Sequence, residues 1–209
     1  VFQLIYVDPA FGPLVPASDL RPEKSRGYEI GIEQSLAEDR VIINATYFHF
    51  DIDDAIDFVF NPFPALSDGY RNVDQVNSKG FEINGQFEVT ETLYITANYT
   101  YTDAKDSLSG ASLRREPKNL FSGSIIWQPT DEISTTLNVV HNGQELISNG
   151  DFTDPLDAWT RVDLRASYEI MDGLSVYGRV DNLFNEEYQF VRGYGTPDRS
   201  YFTGLRKTF

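Results

Sequence analysis

The 209-residue chain has no cysteine, which excludes a disulfide framework, a thiol nucleophile and any zinc site built on thiolates. Its two histidines, His49 and His141, fall on different predicted strands and read as ordinary strand residues near an interface, with no metal role. Basic residues are scarce: 17 Lys and Arg stand against 32 Asp and Glu, a formal net charge of −15, which argues against a nucleic-acid-binding surface. No run approaches the roughly 20 apolar residues of a membrane-spanning helix, and mean hydropathy is −0.35. Neither a basic n-region nor an apolar h-region follows Val1, so the expectation is that an export signal has been removed or that the start of the gene product lies upstream. Catalysis has little support. No Gly-x-Ser-x-Gly elbow is present, and the adjacent Glu186 and Glu187 would point apart in an extended segment.

What the chain does have is aromatics, 12 Tyr and 15 Phe, set in a period-two pattern. Over residues 93–102 one face reads Leu93, Ile95, Ala97, Tyr99, Tyr101 and the other Tyr94, Thr96, Asn98, Thr100, Thr102. Val162, Leu164, Ala166, Tyr168 and Ile170 alternate with Arg161, Asp163, Arg165, Ser167 and Glu169. Phe81, Ile83, Gly85, Phe87 and Val89 oppose Glu82, Asn84, Gln86 and Glu88, and Ile133 to Val139 repeats the pattern. Weaker versions cover residues 28–36, 41–50, 119–127, 174–181 and 201–209. The pattern predicts an all-β chain of about nine strands.

The connections alternate as well. Short polar ones at residues 37–40, 90–92, 129–132 and 171–173 take turns with long Gly-, Pro-, Asp- and Asn-rich ones near 52–70, 104–118, 143–158 and 185–198. A soluble sandwich has no reason to put every long loop at one end, whereas an outer-membrane barrel has short periplasmic turns and long extracellular loops. Aromatics at strand ends, namely Tyr47, Phe48, Tyr99, Tyr101, Trp127, Trp159 and Phe209, read as interfacial girdles. The apolar face then meets outer-membrane lipid and the charged face looks inward, with Glu82, Glu88, Arg161, Arg165 and Arg179 forming a polar ladder. Strand parity leaves the first and last strands both descending, so residues 1–24 are expected to be an extracellular loop with the end of a preceding strand at residues 1–5. Bacterial barrels close with an even strand number; residues 25–209 are thus expected to be the C-terminal strands of a larger barrel.

At this point the motifs resemble a family. Leu20-Arg21-Pro22-Glu23-Lys24-Ser25-Arg26-Gly27-Tyr28-Glu29-Ile30-Gly31 resembles the L-x-P-E-x-S-x-x-Y-E-x-G segment of TonB-dependent outer-membrane receptors. Tyr47-Phe48 leading to residues 52–56, Asn72 to Glu82, Asp181-Asn182-Leu183-Phe184-Asn185-Glu186-Glu187-Tyr188, and the closing segment from Gly193 to Phe209 match in order. Pro197-Asp198-Arg199 departs from the usual Pro-Gly-Arg, and Lys207 falls on the lipid-facing parity of the last strand, a position suited to the interface. The resemblance implies a barrel fragment, about nine strands of a barrel that the family closes with 22. It further implies uptake of a scarce small-molecule metal chelate, energised by TonB through a plug domain that these residues do not contain, and assembly in the bacterial outer membrane by machinery that reads the terminal Phe209. The Gly-Tyr-x-Thr…Arg pattern leans toward cobalamin over ferric siderophores, with haem and oligosaccharides as further cargo classes.

For ligand capture the residues singled out are Arg192, Tyr194 and Arg199 on the last long loop, beside Tyr188 and Phe190. Arg pairs with phosphate or carboxylate and Tyr covers a macrocycle or chelate; loop packing and girdle anchoring are the plainer account. Asp51, Asp53, Asp54 and Asp57 offer oxygens to Ca²⁺, but the segment lacks the Gly and distal Glu of an EF-hand and reads as a solvated acidic loop. No cofactor and no enzyme activity are expected. The competing readings are a soluble or surface-attached β-sandwich, such as a carbohydrate-binding module, and a passive porin-type barrel.

Overall fold

The computed structural model describes residues 20–59, 69–72, 75–147 and 155–208. Among them there is no helix. The strands are β1 (Lys24–Leu36), β2 (Val41–Asp53), β3 (Ile56–Val59), β4 (Gly69–Asn72), β5 (Val76–Thr90), β6 (Leu93–Asp106), β7 (Asn119–Trp127), β8 (Ile133–Asn142), β9 (Trp159–Met171), β10 (Leu174–Asp181) and β11 (Ser200–Lys207). Nine of them form one antiparallel sheet in the order β1-β2-β5-β6-β7-β8-β9-β10-β11, and β3 pairs with β4 separately. Within this sheet every strand pairs with the next one along the chain, the β3–β4 hairpin lying in the connection between β2 and β5, so the sheet is a meander with edges at β1 and β11 among the described residues.

The register carries the alternation across the whole sheet. Tyr47 pairs with Phe81, Phe81 with Tyr101, Tyr99 with Phe121 and Phe121 with His141. Because directly paired residues share a face, one face collects Ile30, Ile32, Ile43, Ile83, Ile95, Ile125, Leu137, Val162, Leu164, Val176 and Leu205. Ile30 and Ile32 are 70% and 68% exposed, a face with no protein partner. Toward the long-loop end it carries a row of rings: Tyr28 lies 6.3 Å from Tyr47 and stacks on His49 at 5.2 Å, and Phe81 lies 5.8 Å from Tyr99 and 5.5 Å from Tyr101. The opposite face collects Glu29, Glu33, Thr46, Glu82, Asn84, Gln86, Asn98, Ser122, Asn138, Arg161, Asp163, Arg165, Arg179 and Asp181, and the cavities of β9–β11 open on it.

Two expected girdle residues belong elsewhere. Phe48 lies on the polar face, 6.0 Å from Phe50, because its parity is that of Thr46 and not of Tyr47. Both rings need glycine opposite them: Gly80 faces Phe48 and Gly27 faces Phe50, and a Cβ at either glycine would run into the facing ring. Trp159 opens β9 on the same polar face and packs under a loop, as described below.

Connections at 37–40, 91–92, 128–132 and 172–173 are short, and those at 54–75, 107–118, 143–158 and 182–199 are long, so all four long ones leave the same end. The first contains the β3–β4 hairpin, which residue alternation over four positions was too short to announce. Lys207 ends beside the turn at 172–173, its Nζ donating to the Asp172 carbonyl at 3.0 Å. The expected strand end at residues 1–5 and the terminal Phe209 lie outside the described residues.

Candidate functional site

The last long connection starts with an asparagine that organises everything after it. Asn182 is 2% exposed and its φ of 54° is left-handed, a conformation Asn tolerates better than most residues. Its backbone N–H donates to Asp163 Oδ1 at 2.8 Å; its Oδ1 accepts from the Glu186 N–H at 2.8 Å, and its Nδ2 donates to the Glu186 carbonyl at 2.9 Å. Asn185, also left-handed at φ 57°, accepts the Arg199 N–H on its Oδ1 at 2.9 Å, closing the loop at the head of β11. The Glu186 backbone is thereby held by the Asn182 side chain.

That turn lowers Tyr188 onto the polar wall. Tyr188 is 8% exposed, and its hydroxyl accepts from Arg161 Nη1 at 3.0 Å. Its ring centroid is 4.4 Å from that of Trp159, which is 6% exposed, and Phe190 meets both edge-on at 5.4 and 5.5 Å. Thr196 Oγ1 donates to the Tyr188 carbonyl at 2.8 Å. The neighbouring loop is closed by paired backbone hydrogen bonds between Glu145 and Leu156 and tied to the loop before it by Arg115 N–H to the Leu146 carbonyl at 2.7 Å. Burial pushes the Glu145 carboxyl above the usual carboxylate range, opposed by its Asn142 hydrogen bond and the attraction of Arg115.

Between these loops lies a cavity of about 470 Å³ lined by Pro155, Leu156, Trp159, Glu187, Tyr188, Arg192, Thr196 and Asp198 among others. A second of about 470 Å³ lies against the strands, lined by Asn138, Arg161, Asp163, Arg165, Arg179, Asp181, Asn182, Tyr188, Asp198 and Phe202. Tyr188 and Asp198 belong to both. Both linings are largely polar and charged, with Leu156, Trp159 and Tyr188 as the apolar surface of the outer cavity and Tyr188 and Phe202 that of the inner one.

Of the three expected ligand residues, Arg192 lines the outer cavity, with Nη2 donating to the Pro155 carbonyl at 3.1 Å. Tyr194 stands at the loop tip, 73% exposed, and Arg199 sits at the start of β11; neither lines these cavities. Of the residues that build the cleft, Tyr188 is expected beside the ligand loop, Trp159 at a girdle and Arg161 in the polar ladder, and Asn182 has no expected site role. Of the expected polar ladder among neighbouring strands, the ion pairs seen run along single strands: Arg161 pairs with Asp163 at 3.2 Å on β9 and Arg179 with Asp181 at 3.0 Å on β10. In the acidic segment, Asp51 accepts from Asn77 Nδ2 at 2.8 Å, Asp53 pairs with Arg26 at 3.2 Å and Asp54 pairs with Arg21 at 2.6 Å. The three carboxylates turn to different partners; the Asp57 side chain lies outside the description.

Residues 4–183 match the family described as TonB dependent receptor-like, beta-barrel. The chain is similar to the iron-regulated outer membrane virulence protein of Vibrio cholerae serotype O1, 30% identical over 210 residues that cover 91% of this chain and 32% of that protein. It is also similar to the vitamin B12 transporter BtuB of Photobacterium profundum, 30% identical over 88% of this chain and 30% of that one. It thus spans about a third of the length of these curated relatives. Among solved structures it superimposes on the ferric-catecholate import receptor Fiu of E. coli K12 with a TM-score of 0.74 at 21% identity, covering 92% of this chain and 28% of that one. That likeness is one of fold.

Proposed function

This chain belongs to the TonB-dependent receptor-like β-barrel family, and we propose on that footing that it forms part of the wall and ligand mouth of an outer-membrane transporter for a scarce metal chelate. The nine-stranded sheet is outer-membrane wall: its apolar face meets lipid, where every backbone polar group is paired within the ladder, and its polar face meets the lumen. The observation that carries the transport reading is the cleft at the long-loop end. Residues 155–158 and 182–199 lie against the polar wall around Trp159 and Tyr188, so this side of the mouth is lined by aromatic rings and an arginine.

The cargo class proposed is cobalamin or a ferric siderophore, in keeping with relatives named for iron regulation and for vitamin B12. Arg192, with Tyr194 and Arg199 on the same loop, is proposed to engage it from the outer side. Residues 25–209 are proposed as C-terminal strands of the barrel, preceded by an outer loop over residues 1–24. A plug domain from the rest of the protein would couple the cargo to TonB, and Phe209 would present the chain to the barrel-assembly machinery. The role is carriage and not chemistry, so no catalytic residue is assigned. The test is growth and uptake in a strain dependent on the full-length receptor, with cobalamin and ferric siderophores supplied singly at limiting concentration. Uptake of one class that vanishes with the receptor or with TonB supports the reading; undiminished uptake of every class without the receptor overturns it.

A further inference from the structure

Just outward of its row of rings the lipid face becomes charged. Lys79 lies two residues beyond Phe81 on β5, and Asp103 and Lys105 lie two and four beyond Tyr101 on β6. The register pairs His49 with Lys79, Lys79 with Asp103, and Asn77 with Lys105. Two residues are about 7 Å along a strand and about 5 Å along the membrane normal at the usual tilt. The headgroup layer is about 5–8 Å deep on each side of the hydrocarbon. With the rings marking the interface, this charged row stands at headgroup depth.

One carboxylate there serves three ammonium groups. Asp103 is 9% exposed; Lys105 Nζ lies 2.8 Å from its Oδ2, and Lys118 Nζ, arriving from the connection before β7, lies 3.2 Å from its Oδ1. Lys79, directly across the ladder from Asp103, is exposed and makes no ion pair among the described residues. A buried carboxylate needs a partner, but one cation balances it. The three lysines and Asp103 keep a charge of +2 in a chain of net charge −15. The other acidic groups of this rim are already engaged: Asp51 accepts from Asn77 and lies against His49, and Asp53 pairs with Arg26 and accepts from Gln75. β5 and β6 are flanked by β2 and β7, and the cluster looks away from the lumen. Neither a strand added at the sheet edges nor a plug in the lumen stands next to it.

We propose that Lys79, Lys105 and Lys118 hold the phosphate of an anionic lipid headgroup in the outer leaflet. Lysine stems run along apolar surface while the ammonium stays at its wet edge, and a compact ammonium serves phosphate as a point charge. Asp103 gathers two of the three lysines without cancelling both of their charges. Charge and depth together select the occupant: an anion carried by a molecule whose acyl chains lie on the rings below. The proposal rests on the apolar face being lipid-facing wall and is independent of the cargo.

The test uses the full-length receptor in detergent micelles, titrated with diphosphoryl lipid A and, in a second arm, with zwitterionic phosphatidylcholine, the bound lipid being counted by native mass spectrometry. Saturable binding of lipid A is expected, weakened at least about tenfold in K79Q/K105Q/K118Q through the loss of charge-assisted hydrogen bonds. Binding should be unchanged in K207Q, which removes a cation from the opposite end of the same face. K79Q alone breaks no ion pair, so it leaves Asp103 its partners; a weakening of at least about threefold is expected, with the melting temperature of the lipid-free receptor unchanged. Lipid A should raise the melting temperature of wild type and not that of the triple variant. Binding by the triple variant like wild type, or equal retention of phosphatidylcholine, overturns the site. So does a receptor dimer in detergent that the triple variant dissociates, which would make a second acidic copy the occupant. Uptake is measured separately in cells: uptake lost with lipid binding intact counts against the transport reading alone, and lipid binding absent with uptake intact counts against this site alone.

Discussion

Asn182 concentrates in one side chain what holds the mouth of the barrel in place. It supplies an acceptor and donors to Glu186, presents its own N–H to Asp163, and holds a left-handed turn, all at 2% exposure. Asn182→Ala leaves the part-buried Glu186 N–H and carbonyl without their side-chain partners, and should cost about 1–2 kcal/mol of local stability. The check is thermal unfolding in detergent together with protease sensitivity of residues 182–199; an unchanged cleavage rate would refute the role. Glu145 is the second residue with a measurable consequence. Its folded-state pKa is raised by burial, so the native loop binds the proton more tightly than the unfolded chain. The penalty is absent below the ordinary carboxylate range, grows as pH rises through that range to the raised value, and is fully present above it. Amide exchange of Glu145 and Leu156 should therefore be slower in mildly acidic buffer than at pH 7 after correction for intrinsic rates, and Glu145→Gln should flatten that difference.

At the scale of the strand, a single residue of parity decides environment. Leu137 and Asn138 are neighbours on β8, yet Leu137 pairs with Leu164 on the lipid face and Asn138 with Asp163 on the lumen face. Leu137→Arg places a cation in hydrocarbon at a cost of about 2–4 kcal/mol, whereas Asn138→Arg gains Asp163 as a neighbour and costs little. Comparing the yield of heat-modifiable, membrane-inserted receptor should show a clear loss for the first variant and near wild-type levels for the second; equal yields would mean the faces are wrongly assigned. The same parity explains what was legible in the sequence. Long strands such as β6 and β9 announce themselves because many positions agree, and the turns between them follow from Gly, Pro and Asp. Phe48 and Trp159 misled because an aromatic at a strand end suits a lipid girdle or a lumen cleft equally, and only the register settles which. The β3–β4 hairpin and the cleft escaped because four-residue strands carry too little pattern and because Trp159, Arg161, Asn182 and Tyr188 meet through the folding of a loop, a relation that spacing along the chain does not encode.

For the molecule as a whole, the division of faces fixes which solvent it tolerates. Soluble sheets hide their apolar side against a second layer; here Ile30, Ile32, Tyr201 and Leu205 remain mostly exposed, and β1 and β11 offer unpaired edges. The acidic residues lie on the lumen face, in the connections and, with Asp51, Asp53 and Asp103, at the long-loop ends of strands, so they do not protect the middle of the lipid face from association. Exposed apolar area of this extent and free edges both drive aggregation in water. A bilayer or micelle removes the first cause, and pairing with further strands of a closed barrel removes the second. The 209-residue chain expressed alone should therefore form large, heterogeneous species in aqueous buffer and smaller ones in detergent, with residual association through its edges. Sedimentation velocity distinguishes these states, and a single folded monomer peak in detergent-free buffer would be incompatible with a lipid-facing wall, because no second layer is present to cover those side chains.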